Sequence, residues 1–163
     1  MEQLAKHFDR VEGLEISDGM RRMAVICMCF SLGYMGSTDE LERAAASMVR
    51  ALRPGGALVI EPWWFPENYL GGYVTGAIAE SEGRVISRVS HSARGEGARM
   101  RMTVKYTVAE RGGINVFTEY EDCTLFDRKS YEAAVEKAGV TLEFTEGGPN
   151  GRGLFTGVRR EVA

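Results

Sequence analysis

The chain reads as an α/β fold: an open, largely parallel sheet interrupted by an inserted antiparallel β-meander. Three observations predict it. Met23-Ala24-Val25-Ile26-Cys27-Met28-Cys29-Phe30 is a continuous apolar run, the pattern of a strand covered on both faces. Leu41, Ala44, Ala45, Met48, Val49 and Leu52 come next at helical spacing and lead into a second apolar run from Ala57 to Ile60. Met100, Met102, Val104, Tyr106 and Val108 instead alternate with Arg101, Thr103, Lys105 and Thr107, the period of a half-exposed antiparallel strand.

Taken in order, Val11 to Ile16 is a short strand, and residues 23–30 form the next. Ser37 caps a helix, with Glu40 three residues on completing a capping box. Pro54-Gly55-Gly56 stops that helix, and residues 57–61 make the following strand. The period then changes. Arg84 to Arg94, the strand at 100–108 and Ile114 to Phe126 form a meander of about three strands. Gly95-Glu96-Gly97 and Arg111-Gly112-Gly113 supply the turns. The insert spans about residues 66–126. Asp127 caps a second helix with Tyr131, Ala134, Val135 and Ala138 on its apolar face and Gly139 at its end. Val140 to Thr145 and Leu154 to Arg159 close the chain as paired strands.

Size and composition bound the function. The 163 residues suit one domain, 1–163, and 44% hydrophobic content supports a core. Twenty basic and 23 acidic residues leave a net charge of −3 without a basic stripe, which argues against nucleic acid as a partner. No apolar run approaches the ~20 residues of a membrane span. The N-terminus has no signal-peptide core, so a cytoplasmic location is expected. Cys27, Cys29 and Cys123 are an odd set. The first two share a face of one strand, too far apart along it for an easy disulfide, and read as buried thiols. With two histidines and no CxxC pair, no metal site is expected.

The most distinctive stretch is Glu61-Pro62-Trp63-Trp64-Phe65-Pro66, which holds both tryptophans of the chain. An apolar strand ending at a carboxylate and opening into a proline-stiffened loop is a ligand rim in open α/β sheets. Two readings stand: Trp63 and Trp64 contact a substrate at a pocket mouth, or they plug the end of a core.

Leu52-Arg53-Pro54-Gly55-Gly56 before a strand resembles class I S-adenosylmethionine-dependent methyltransferases. The residues 61–66, Ser90-His91-Ser92 and Glu146-Gly147-Gly148-Pro149-Asn150-Gly151-Arg152-Gly153-Leu154-Phe155 resemble a narrower group. These are the N,N-dimethyltransferases of nucleotide-linked amino sugars, such as those leading to desosamine and mycaminose. The resemblance runs discontinuously from about residue 1 to 160. It implies a truncated Rossmann-like methyltransferase sheet and a cytoplasmic enzyme, with a homodimer as one assembly, that uses S-adenosylmethionine on a dTDP-linked amino deoxysugar. Two family segments have no counterpart in the chain. One is the Gly-rich loop of D-x-x-x-G-x-G type, so that the chain begins at the following helix, Leu4 to Phe8. The other falls between Met20 and about Arg22. The strand at 11–16 either pairs directly with residues 23–30 or is loosely held. Poor cofactor affinity is therefore expected. A non-catalytic sugar-nucleotide-binding protein and an inactive fragment stand as alternatives.

The resemblance also assigns residues. Glu15 stands where a carboxylate binds the ribose hydroxyls, and Ile16, Met28 and Ser31 complete the cofactor positions. Tyr34 matches a position facing the amino sugar. Its phenol, with an ordinary pKa of about 10, suits orienting an amine better than abstracting a proton; the alternative is a tyrosine capping the sheet edge. Arg152 lies among glycines that leave its guanidinium free for a diphosphate, or it is a surface residue of a hairpin turn. Trp63, Trp64 and His91 complete the substrate set, with packing as the competing role for His91.

Overall fold

The computed structural model describes residues 22–160. The expected helix at Leu4 to Phe8, the strand at 11–16, Glu15 and Ile16 lie outside the described residues. Two four-stranded sheets share the described chain, one with the order β1-β2-β8-β7 and the other β3-β4-β5-β6.

The first sheet is built from β1 (Arg22–Cys27), β2 (Leu52–Ile60), β7 (Leu142–Thr145) and β8 (Leu154–Val158). β1 and β2 run parallel, whereas β8 is antiparallel to both β2 and β7. Helix α1 (Thr38–Ala51) crosses from β1 to β2, as a parallel pair requires. Ser37 Oγ accepts from Glu40 N–H at 3.3 Å. The Glu40 carboxylate reaches back to Gly36 N–H rather than to the cap itself.

Arg53-Pro54-Gly55-Gly56 lies within β2 rather than between elements. The register jumps from Arg22↔Leu52 to Ala24↔Ala57, so the segment bulges out of the ladder. The bulge is held by the end of the chain beyond β8: Gly55 N–H donates to Arg159 O at 2.8 Å and Arg159 N–H to Gly56 O at 2.9 Å. Arg159 also donates through Nη1 to Val49 O and Leu52 O at the end of α1.

Helix α2 (Arg128–Lys137) is capped by Asp127, whose Oδ1 accepts from Ser130 N–H at 2.8 Å. Its buried residues Tyr131, Ala134 and Val135 meet Leu41, Ala45 and Val49 of α1 and Leu58, Ile60 and Phe155 of the sheet in the main core.

The second sheet is a four-stranded meander of β3 (Val74–Ser81), β4 (Arg84–Arg94), β5 (Arg99–Glu110) and β6 (Gly113–Thr124), paired antiparallel throughout. The alternation in the sequence predicts about three strands. β3 escapes that pattern because Val74–Ser81 is exposed along its whole length and lacks a buried alternating face. One sheet face carries Ser90, Ser92, Met100, Val104 and Cys123, all buried. The other carries Val74, Ile78, Val89, Val116 and Tyr120, all exposed.

The apolar run at 23–30 also differs from expectation. β1 stops at Cys27, and Cys29 and Phe30 take left-handed backbone with φ 54° and 53°. Cys29 is therefore exposed while Cys27 is buried. Nor is β1 covered on both faces, since Met23 and Ile26 are 68% and 64% exposed. Among the described residues β1 is an edge strand, with β2 as its neighbour on one side.

Candidate functional site

β1 and β2 are parallel, so the segments after them emerge at the same edge of the sheet. After β1 the chain makes a 3-10 turn, Ser31–Tyr34. Met28 O anchors it, accepting from Ser31 Oγ at 2.7 Å. After β2 comes the loop Glu61-Pro62-Trp63-Trp64-Phe65-Pro66. Its approach to the turn is close: a Cβ on Gly33 would stand 3.4 Å from Trp63 Cβ and 3.8 Å from Cys123 Cβ. The turn, the aromatic loop and β6 thus meet around Gly33.

Glu61 organises this edge. It is 1% exposed, and its two oxygens bind three residues from two segments. Oε2 accepts from Cys29 N–H at 2.8 Å. Oε1 accepts from Asn150 Nδ2 and from Arg152 Nη2, the latter at 3.1 Å. Burial by itself would raise the carboxyl pKa; the hydrogen bonds from Asn150 and Cys29 N–H and the Arg152 charge outweigh it and hold it below the usual value. Glu61 is thereby a fixed anion that pins Cys29 and Phe30 in their strained backbone. The sequence shows a carboxylate at the strand end without giving it a role. The available signal is that a carboxylate ending a buried strand demands partners.

Phe30, turned inward by that backbone, packs on Trp63 with ring centroids 4.1 Å apart and lies 5.8 Å from the Tyr34 ring. Arg152 covers both Trp63 and Phe30, with its guanidinium carbon 5.0 and 5.7 Å from the two rings. The glycine-rich setting predicts a free guanidinium, and the structure corrects this: Nη2 serves Glu61 and the side chain is 13% exposed. Arg152 Nε and Trp63 Nε1 are buried and have no partner among the described residues. Gly153 has a further duty, because a Cβ there would stand 2.1 Å from Phe144 Cζ.

Tyr34 Oη donates to Glu121 Oε2 on β6 at 2.8 Å. Burial, and then the hydrogen bond with Glu121, push the Tyr34 pKa far above its ordinary value, so the phenol keeps its proton. Thr124 Oγ1 donates to Met35 O at 2.7 Å and Arg99 Nη2 to Gly36 O at 3.0 Å, strapping the meander to the turn. Arg94 Nη2 donates to Pro66 O at 2.9 Å and ties down the end of the aromatic loop.

Of the predicted residues, Met28, Ser31, Tyr34, Trp63, Trp64 and Arg152 gather at this edge. Trp63 and Trp64 are both half-buried, at the seam of the two sheets. His91 does not join them. It pairs in register with Val74 and Thr103, and alternation puts its side chain on the face opposite buried Ser90 and Ser92. Phe30, Asn150 and Glu121 join the site without a sequence signal that singles them out. Nothing local marks Asn150 or Phe30; Glu121 shares the inward face of β6 with Cys123.

A sulfonium-bearing cofactor at this edge would meet the rings of Phe30, Tyr34 and Trp63, two of which, Phe30 and Trp63, already carry the Arg152 guanidinium. Among the described residues no group of three or more His, Cys, Asp or Glu is placed to hold a metal ion. No described helix is long and apolar enough to cross a membrane.

No family model matches the chain. It is 45% identical to the dTDP-4-amino-2,3,4,6-tetradeoxy-D-glucose N,N-dimethyltransferase of Saccharopolyspora spinosa, over 98% of this chain and 74% of that protein. That alignment runs over 184 positions, more than the 163 residues of the chain, so the relative carries segments absent here. The crystal structure of Streptomyces venezuelae DesVI superposes with a TM-score of 0.82 at 42% identity, covering 96% of this chain and 70% of that one. A SAM-bound amino pentose methyltransferase of calicheamicin biosynthesis, from Micromonospora echinaspora, gives a TM-score of 0.78 at 39% identity. It covers 89% of this chain, which spans 61% of its length.

Proposed function

We propose, for a chain that belongs to the dTDP-amino-sugar N,N-dimethyltransferases, that it N-methylates a dTDP-linked amino deoxysugar with S-adenosylmethionine. The sheet β1-β2-β8-β7 is then the carboxyl-terminal part of a Rossmann-like methyltransferase sheet, with the meander inserted after β2. The observation that carries the reading is the gathering of Tyr34, Trp63 and Arg152 at the carboxyl ends of the parallel strands.

S-adenosylmethionine supplies an electrophilic methyl group. Met28 and Ser31, at the end of β1, would hold it, with Glu15 and Ile16 assigned by resemblance. The residues of this chain do the rest. N-methylation needs a neutral amine held about 3 Å from the reacting carbon and in line with it. Tyr34 orients that amine through its hydroxyl. Trp63 and Trp64 present apolar surface to the sugar and base. Arg152, held through Nη2 by Glu61, is the cation proposed to meet the diphosphate. His91 lies on the outer face of the meander and takes no part in this site.

That outer face is proposed to pair two copies of the chain. Val74 and Ile78 of β3, Val89 of β4, and Val116 and Tyr120 of β6 give three of the four strands exposed apolar side chains on this face. Lys105 and Arg101 stand on the same face as Glu80 and Asp122, so the surface carries charges of both signs. Val89→Glu is expected to shift sedimentation from dimer to monomer.

The test of function is calorimetry with S-adenosylhomocysteine and, separately, thymidine diphosphate, followed by mass-resolved methyl transfer to a dTDP-amino sugar. Binding of both ligands with mass gain supports the enzyme. Binding of the nucleotide alone supports a non-catalytic sugar-nucleotide-binding protein, and binding of neither an inactive fragment.

A further inference from the structure

We infer that Glu121 is the proton acceptor behind Tyr34: a bound sugar ammonium gives one proton to Tyr34 Oη as Tyr34 passes its own to Glu121 Oε2. The inference deepens the N-methylation reading and rests on it. It makes Glu121 the residue through which the site prefers an amino sugar to a hydroxy sugar.

The geometry is specific. Tyr34 ends the turn after β1, and Glu121 sits 87 positions away on β6, yet their side chains meet at 2.8 Å. The contact lies at the seam where the aromatic loop, the turn and the meander converge. The single proton of the phenol is committed to the carboxylate. Its oxygen lone pairs are left to accept, and an amine N–H is a donor that fits.

Tyr34 does not do this by ionising. Burial and the neighbouring carboxylate keep the phenol protonated, so a proton taken from nitrogen requires the phenolic proton to leave at the same time. Glu121 Oε2 is where it goes. The balance closes: nitrogen loses one proton and keeps its electron pair, the phenol is unchanged, and Glu121 becomes a neutral acid. Because Glu121 is only half-buried, it can return that proton to water before the second transfer.

The other ionisable groups at the pair do not compete. Burial pushes the Cys123 thiol up to about 12, leaving it neutral. Arg99 is engaged with Gly36 O. Glu119 is two positions along the same face of β6, exposed, and adds negative potential where an ammonium would enter. A sugar hydroxyl can donate to Tyr34 but has no charge to neutralise, so the carboxylate favours the amine.

The test uses the full chain, a dTDP-amino sugar, and the dTDP-sugar with hydroxyl at the same carbon. Calorimetry gives affinities and single-turnover assays give methyl transfer, for wild type, Glu121→Gln, Glu121→Asp and Tyr34→Phe. Glutamine still accepts the Tyr34 hydrogen bond but cannot take a proton. Wild type is expected to favour the amino sugar about 10-fold, and Glu121→Gln to lose most of that preference. Its kcat is expected to fall roughly 100-fold with little change in the KM for cofactor, and Glu121→Asp to recover part of the loss. Glu121→Gln with unchanged preference and unchanged kcat overturns the relay while leaving the methyltransferase reading intact. Failure of wild type to bind either sugar nucleotide overturns the functional reading, and the relay with it.

Discussion

Arg152 Nη2 donates to Glu61 Oε1 at 3.1 Å across 91 residues of sequence, and the two side chains are 13% and 0% exposed. The ion pair joins the end of β2 to the loop before β8. Removing one member strands the other, and an uncompensated charge in this setting costs more than the pair contributes. Glu61→Gln keeps shape and loses charge. It is expected to destabilise by about 3 kcal/mol, seen as a fall of roughly 6–12 °C in Tm. A change under about 2 °C would mean that Arg152 finds water in the native state.

The same pair predicts a pH dependence. The Glu61 carboxyl is held below the 4.5 of a free glutamate. A group depressed in the folded state stabilises above its unfolded pKa, and that contribution fades as pH falls through the folded value. Wild type is therefore expected to lose stability below about pH 4.5 more steeply than Glu61→Gln, by urea titration at each pH. Asp127 is likewise depressed, by Ser130 at the cap of α2, so the difference between the two proteins, not the wild-type slope alone, isolates Glu61.

Gly153 combines φ +91° with a ring against its α-carbon, where a Cβ would lie 2.1 Å from Phe144. Gly153→Ala must open the hairpin or expel Phe144. A cost of at least ~2 kcal/mol is expected, together with weaker nucleotide binding, because Arg152 is the preceding residue. Gly151→Ala, also at positive φ but facing open space, is expected to cost less. Equal Tm values for the two variants would refute the packing account.

Trp63 and Trp64 are half-buried at the site, and Arg152 lies over the Trp63 ring. A dTDP-sugar is expected to quench tryptophan fluorescence. Arg152→Lys keeps a charge for Glu61 and loses the planar fork, so its affinity should fall by about 2–3 kcal/mol, roughly 30- to 150-fold, less what the ammonium recovers. Affinity equal to wild type would place the diphosphate elsewhere, with Arg88 on the inner face of β4 as the next candidate.

The three thiols should separate. Burial pushes Cys27 up to about 11 and Cys123 up to about 12, whereas Cys29 is exposed. Reaction with a disulfide reagent at about pH 8 is expected to show one fast thiol, and two that react only as the fold opens. Two fast thiols would contradict the burial of Cys27 or Cys123.

Most of the frame was legible in the sequence because local chemistry decides it. The spacing of Leu41, Ala45 and Val49 located α1, Ser37 and Asp127 marked both caps, and the alternation from Met100 to Val108 identified β5 and its buried face. The motif around Trp63 marked the loop that leaves the carboxyl end of β2. What only the tertiary structure decided depends on contacts between residues far apart in the chain. The end of β1 at Cys27 is set by Glu61, 32 positions beyond Cys29, which takes the Cys29 N–H that a longer strand would have paired. Arg152 reads as a free hairpin arginine until the loop folds back on Glu61. His91 falls outside the site because a period of two places it opposite Ser90 and Ser92, and which face turns inward is chosen by packing. Tyr34 and Glu121 meet because the meander closes over the turn, and no spacing in a one-dimensional string encodes that distance.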